Sequence, residues 1–151
     1  MVQKTLLNEV QYSRKLLGKA RRLMLQARKL ELLPYNISPR QAVFLIAVND
    51  LGEKATLTEL SRYHNRAVNT ISSQMTEMEN DGFVKKVRIS PKTKLLKFEL
   101  TEKGIAAHKG ACQNTALLEI MSGLSEKERK QLNALLLVLI GKAEEYNGEK
   151  V

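Results

Sequence analysis

Arg66-Ala67-Val68-Asn69-Thr70-Ile71-Ser72-Ser73-Gln74-Met75-Thr76-Glu77-Met78 is the stretch on which the fold turns. Val68, Ile71, Met75 and Met78 recur at intervals of three, four and three, the spacing of a buried stripe on a helix of 3.6 residues per turn. At about 100° per residue, Arg66, Asn69, Thr70, Ser73 and Glu77 project from the opposite side, with Ser72 beside them. An ordinary surface helix carries Glu/Lys pairs on such a face. Short hydrogen-bonding side chains suit base edges instead: Asn pairs with adenine, Ser and Thr bond phosphate or bases, and Arg suits guanine or phosphate. The helix is predicted from Arg66 or Ala67 to Asp81.

Working outward, three helix starts carry a Ser or Thr followed three residues later by Gln or Glu, the sequence of a capping box. They are Ser38-Pro39-Arg40-Gln41, Thr56-Leu57-Thr58-Glu59 and Ser125-Glu126-Lys127-Glu128. Gly52, Gly82 and Gly123 mark stops. A helix from Pro39 to Asn49 is expected to bury Val43, Phe44, Ile46 and Ala47. A short one follows from Leu57 to Tyr63, and Asn65 supplies a turn residue that tolerates a left-handed backbone. After Gly82 the period changes to two, and Phe83 to Arg88 and Leu95 to Leu100 read as a hairpin. Its tip carries Lys92 and Lys94; its arms carry Lys85, Lys86, Arg88 and Lys97. Basic residues on such a loop can reach phosphates or an adjacent minor groove. Helix, short helix, turn, helix and hairpin is the order of a winged helix-turn-helix. The class is mainly α (α+β), with N- and C-terminal dimerisation helices.

The flanks are long helices. The first is predicted from Thr5 to Leu33, ending before Pro34. It repeats Arg14-Lys15-Leu16-Leu17, Arg21-Arg22-Leu23-Met24 and Arg28-Lys29-Leu30-Glu31 at seven residues, so that Leu16, Ala20, Leu23, Ala27 and Leu30 form a seam. The arginines and lysines beside the seam read as a solvated stripe, or as partners for Glu144 and Glu145. Thr101 to Met121 and Glu126 to Tyr146 complete the chain. In the last helix Leu132, Leu135, Leu136, Leu139, Ala143 and Tyr146 form one stripe, and Leu137, Val138 and Ile140 cover the other sides. A helix apolar nearly all round must be buried on several sides, and a second copy of the chain can do that.

Composition fits this layout. The 151 residues hold 43% hydrophobic side chains, enough for one core, and a formal charge of +9, which makes a polyanion the leading partner. Residues 1–50 hold nine basic and three acidic groups, residues 51–100 nine and six, and residues 101–151 seven of each, so the last third is not expected to bind it. No apolar run approaches the ~20 residues of a membrane crossing. Met1-Val2-Gln3-Lys4-Thr5 has no leader pattern, and the lone Cys112 suits a reducing cytoplasm.

From Ile37 to Gly104 the sequence resembles the MarR family of winged-helix regulators. The resemblance is carried by Ile37-Ser38-Pro39-Arg40-Gln41, Leu57-Thr58-Glu59-Leu60-Ser61, Thr70-Ile71-Ser72, Met78-Glu79-Asn80-Asp81-Gly82-Phe83-Val84 and Leu100-Thr101-Glu102-Lys103-Gly104. It implies a single domain over 1–151, with residues 37–104 as the DNA-binding lobe and 1–36 and 105–151 as dimerisation helices. It also implies a homodimer on a pseudo-palindromic operator, usually repressing, with a small-molecule effector. The residues then expected to act are Arg66, Asn69, Thr70, Ser72 and Ser73 on the recognition helix and Arg88, Lys92 and Lys94 on the wing. Leu16, Leu23, Leu132, Leu136 and Leu139 would form the dimer interface, and Tyr12, Tyr35 and Tyr63 an effector pocket. Where the family's wing commonly carries Asp-x-Arg this chain has Lys92 and Lys94, and where its recognition helix often has a basic residue this chain has Ser73.

An RNA-binding or ribosome-associated winged-helix protein stays open, because charge alone does not choose between nucleic acids. A zinc- or redox-sensing regulator working through His108 and Cys112, one helical turn apart, is a further alternative. No cofactor and no metal are expected. No enzyme is expected either, for want of a His/Cys/carboxylate cluster, a phosphate-cradling glycine loop or a nucleophile motif.

Overall fold

The computed structural model describes residues 2–148, with side chains from Thr5 onward; Met1-Val2-Gln3-Lys4, where no leader is expected, lies outside the described side chains. The helices are α1 (Val2–Leu32), α2 (Pro39–Leu51), α3 (Leu57–His64), α4 (Val68–Asn80), α5 (Glu102–Ala111), α6 (Thr115–Met121) and α7 (Glu126–Asn147). Strands β1 (Val84–Arg88) and β2 (Leu96–Leu100) lie between α4 and α5, and 3-10 turns occupy Leu33–Tyr35 and Gly52–Lys54. Contacts divide the chain into two units, residues 1–114 and 115–151.

In the first unit α2 is the central element, packed by α1, α3, α5 and β2. Ser38 starts it with a complete capping box: its hydroxyl accepts from the Gln41 N–H at 3.2 Å, and Gln41 Oε1 accepts from the Ser38 N–H at 2.8 Å. At Thr56 only half the box forms. Its hydroxyl accepts from the Glu59 N–H at 3.3 Å, while the Glu59 carboxylate turns to Arg62 instead. Helix α2 buries Ala42, Phe44, Leu45, Ala47 and Val48. Val43, expected inside, is half exposed. The reason is that neighbours on several flanks centre the buried arc on Leu45 and Val48 and leave Val43 outside it.

The hairpin is antiparallel, pairing Val84 with Leu100 and Arg88 with Leu96. The Phe98 N–H donates to the Ala55 carbonyl at 2.9 Å, so β2 has a backbone partner on its other edge too. Phe83, Val84 and Phe98 are buried against the helices.

The helix expected from Thr101 to Met121 is two helices, interrupted at residues 112–114. Arg28 accounts for the break. It was expected on the solvated stripe of α1, but it is buried. Its guanidinium pairs with Glu31 and donates to the carbonyls of Ala111 and Gln113. The last carbonyls of a helix lack partners within it, and a buried planar fork of donors satisfies that of Ala111 together with that of Gln113 in the interruption. The Asn114 amide adds a bond to the Cys112 carbonyl at 3.3 Å.

In the second unit α7 begins with the complete Ser125–Glu128 box. Glu128 is held below the ordinary carboxylate range by the hydroxyl and backbone N–H of Ser125. Gly123 does not take the left-handed backbone expected of it. Helix α6 ends at Met121, and Arg129 donates to the Leu124 and Met121 carbonyls in the turn. No residue of α6 or α7 is buried.

A Cβ at Gly104 would lie 2.0 Å from the Phe83 carbonyl oxygen, which is backbone and cannot swing aside. Around Gly18, within α1, nothing lies within 4 Å. Gly104→Ala is therefore expected to destabilise by about 1–3 kcal/mol or more, and Gly18→Ala to stabilise by about 0.5–1 kcal/mol. Urea unfolding checks both; equal shifts would contradict the packing described.

Candidate nucleic-acid interface

The turn between α3 and α4 is closed by local chemistry. Asn65 takes the left-handed conformation (φ 47°, ψ 53°). Its N–H donates to the Arg62 carbonyl and that of Arg66 to the Ser61 carbonyl, each at 3.1 Å, the crossed pair of a Schellman ending. The Ser61 hydroxyl closes the loop onto the Arg66 carbonyl. Nothing in the spacing of Ser61 in the sequence distinguishes this latch from a surface serine.

Helix α4 turns Ile71, Met75 and Met78 inward, all at 2% exposure or less. Burying each contributes about 1.5–3 kcal/mol, which fixes the rotation of the helix about its axis. Val68, the fourth member of the expected stripe, is 44% exposed; as the first helical residue it lies ahead of the packed segment. The opposite face is open: Arg66, Asn69, Thr70, Ser73, Thr76 and Glu77 are exposed and Ser72 half-buried. Ser73 donates to the Asn69 carbonyl at 3.2 Å and Thr76 to that of Ser72 at 3.0 Å. These are local bonds that a hydroxyl can exchange for an outside partner. Thr76, three residues on from Ser73, extends the face beyond the residues picked from sequence.

Helices α2, α3, α5 and α7 each have a Ser or Thr cap, but the cap position of α4 is Ala67, which has no capping side chain. Its first N–H groups and the positive end of its dipole are thus available to an anion such as phosphate. The helix itself holds no Lys or Arg, and Glu79 is drawn off to Lys86 at 2.6 Å.

Positive charge comes from the hairpin. At its tip Ser90-Pro91-Lys92-Thr93 forms a turn, with the Thr93 N–H on the Ser90 carbonyl at 3.2 Å, and Arg88, Lys92 and Lys94 are exposed. Lys97 departs from expectation. Instead of an outward arm cation it is 5% exposed, its Nζ 2.6 Å from Glu53 and 2.9 Å from Glu99. The bonds to Glu53 and Glu99 hold its amine above the ordinary lysine value, and Lys97 in turn holds Glu99 below the usual carboxylate range.

Tyr12, Tyr35 and Tyr63 stand on three different elements. Tyr35 lines a cleft of about 280 Å³ with Pro34, Asn36, Phe83, Lys103, Ala106 and Ala107. Tyr12 is exposed on α1, and Tyr63 donates to Asp50 at 2.7 Å. His108 and Cys112 do meet, Nε2 to Sγ 3.3 Å. No group of three or more metal-ligating side chains occurs among the described residues, and none of the described helices is long and apolar enough to cross a membrane.

An α4 with one buried and one open polar face, followed by a basic hairpin, defines a winged helix-turn-helix fold. Solved structures of MarR-type regulators share it. The organohalide-sensing transcriptional regulator RdhR, solved ligand-free and with 2,4-dichlorophenol, is 22% identical with a TM-score of 0.75, over 90% of this chain and 80% of that one. A MarR family transcription regulator, SP03579, is 20% identical with a TM-score of 0.71, over 98% and 96%. A cysteine-to-serine mutant of E. coli MarR complexed with operator DNA is 19% identical with a TM-score of 0.72, over 87% and 96%. No protein-family model and no curated protein matches the sequence. At these identities the likeness establishes the fold.

His64 sits at the end of α3, its ring centroid 4.6 Å from that of Phe44 and 5.2 Å from that of Tyr63. Its Nε2 is buried without a hydrogen-bond partner among the described residues. Burial, and then the charge of Arg66, push its imidazole below the ordinary value of 6.5. A lowered folded-state pKa gives stability that is present above the unfolded value and lost as pH falls, because the unfolded chain takes the proton first. The wild type is therefore expected to lose more thermal stability than His64→Leu between about pH 7.5 and 5.5. Parallel melting curves for the two would contradict this.

Proposed function

We propose that the chain is a cytoplasmic, homodimeric transcription regulator that binds a pseudo-palindromic double-stranded operator, represses from it, and is released by a small molecule. The observation that carries this reading is the open polar face of α4 (Asn69, Thr70, Ser73), with Arg66 at its entry, backed by buried Ile71, Met75 and Met78. In the proposed complex α4 enters the major groove, with Asn69, Thr70, Ser72, Ser73 and Arg66 against base edges. A phosphate meets the uncapped start of α4, and Arg88, Lys92 and Lys94 lie along the backbone or minor groove. Structures of the same fold bound to DNA support this, the E. coli MarR mutant on operator DNA and the S. aureus MepR–DNA complex among them.

The dimer reading rests on apolar surface. Leu16, Leu23, Leu137, Val138, Leu139 and Ile140 are 44% to 68% exposed in the single chain, more than a soluble surface ordinarily leaves uncovered on two helices. The reading pairs Leu16 and Leu23 of α1, and Leu132, Leu136 and Leu139 of α7, with a second copy. Effector release follows if the ligand favours a dimer in which the two α4 helices are wrongly spaced for DNA. The 2,4-dichlorophenol complex of RdhR supports a small aromatic molecule as the class to try. The cleft beside Tyr35 and Lys103 offers a ring to stack on and a cation for a phenolate or carboxylate.

Selection from a random duplex pool is expected to return an inverted repeat with half-site centres about 10–10.5 base pairs apart, or a multiple of that. An asymmetric consensus, or preference for structured RNA, would overturn the reading. On the selected duplex Asn69→Ala or Ser73→Ala should lose about 1–3 kcal/mol, and much less on random DNA. Lys94→Ala should weaken both together and lower the salt slope by about one; an unchanged slope would rule out phosphate contact there.

A further inference from the structure

We propose that Lys97 is a positioning residue of the wing, an ion-pair brace from β2 to the turn at Gly52–Lys54, and not a phosphate contact. The inference rests on the DNA-binding reading above for its consequence, but not for its geometry. Every other cation of the hairpin, Lys85, Lys86, Arg88, Lys92 and Lys94, is exposed; Lys97 alone is buried. Its amine lies between two carboxylates from different elements, Glu53 from the turn joining α2 to α3 and Glu99 from its own strand. Glu99 also reaches Lys85, its cross-strand partner, at 3.6 Å, so the set ties both hairpin strands to the helical body. The neighbouring Phe98 N–H bond to Ala55 runs between the same two segments.

Lys97 pairs with Val87 near the loop end of the ladder, and the hairpin needs a tie there because its tip cannot supply one. Residues 89–95, Ile-Ser-Pro-Lys-Thr-Lys-Leu, contain no carboxylate to pair with Lys92 or Lys94. From Lys97 to Lys92 is five residues, about 16 Å of extended chain. A tilt of about 10° at Lys97 would thus carry the tip about 3 Å, enough to lose a phosphate hydrogen bond. For Lys97 itself to reach DNA, it would have to leave two carboxylates and draw its buried stem into water.

The test turns on sign. Glu53 is 85% exposed, so Glu53→Gln leaves the core intact and removes a negative charge, which by electrostatics alone should tighten binding to DNA. The brace predicts the reverse on the selected duplex: affinity about three- to ten-fold lower and a salt slope smaller by one or more, as wing cations lose their phosphates. Lys97→Met should behave like Glu53→Gln, and Lys97→Arg like the wild type. Unchanged or tighter binding by Glu53→Gln would overturn the brace, as would a loss confined to Lys97→Met. A wild type that binds no duplex would count against the regulator reading alone. The brace is then read without DNA, as faster hydrogen exchange of the Phe98 amide in Glu53→Gln and Lys97→Met; unchanged exchange overturns it.

Discussion

Everything in the winged lobe depends on how α4 is rotated about its own axis. Ile71, Met75 and Met78 pack inward against α3 and the start of the hairpin, and that burial leaves one orientation open to the helix. Rotation by half a turn would place three apolar side chains in water and drive Asn69 and Ser73 into the core without partners, each at a cost of about 1–3 kcal/mol. The polar face is therefore held outward by the core beneath it. The Asn65 turn and the Ser61 latch fix where the helix begins, and the bond of the Phe83 N–H to the Met78 carbonyl fixes its exit into β1.

The same lobe separates two tasks that a basic composition would blur. The α4 face is nearly neutral and suited to discrimination, whereas charge is concentrated at the hairpin tip and along α1. Phosphate contacts position and base contacts specify, so in the proposed complex a neutral helix and a basic wing can be altered independently. Charges buried within the first unit play a third part. Arg28 and Lys97, each buried, are spent on backbone carbonyls and carboxylates, and a count of net charge overstates what an outside partner meets.

Much of the lobe was legible in sequence because the deciding signals are local. Capping at Ser38 and Ser125, the left-handed Asn65 and the change of period after Gly82 each depend on residues within one or two turns. The inward stripe of α4 was legible for the same reason, save for Val68 at its end. What escaped was decided at long range. The break after Ala111 depends on a guanidinium 83 residues earlier in the chain. The burial of Lys97 depends on Glu53, and the exposure of Val43 on which neighbours surround α2. Nor could periodicity gather Tyr12, Tyr35 and Tyr63, since which helices meet around a cleft is not written in any one of them. The apolar stripes of α1 and α7 were legible too, and of their members Leu16, Leu23, Leu30, Leu135 and Leu139 are exposed while Leu132 and Leu136 are half-buried.

Dimethyl sulfate protection on the bound duplex tests the central claim most directly, because guanine N7 lies in the major groove. The account predicts two protected clusters on one face of the duplex, one helical turn or a multiple of it apart. Both should be weakened by Asn69→Ala, with the flanking backbone still covered. Protection limited to the minor groove or backbone, or a pattern that Asn69→Ala leaves untouched, would mean that α4 does not read the bases.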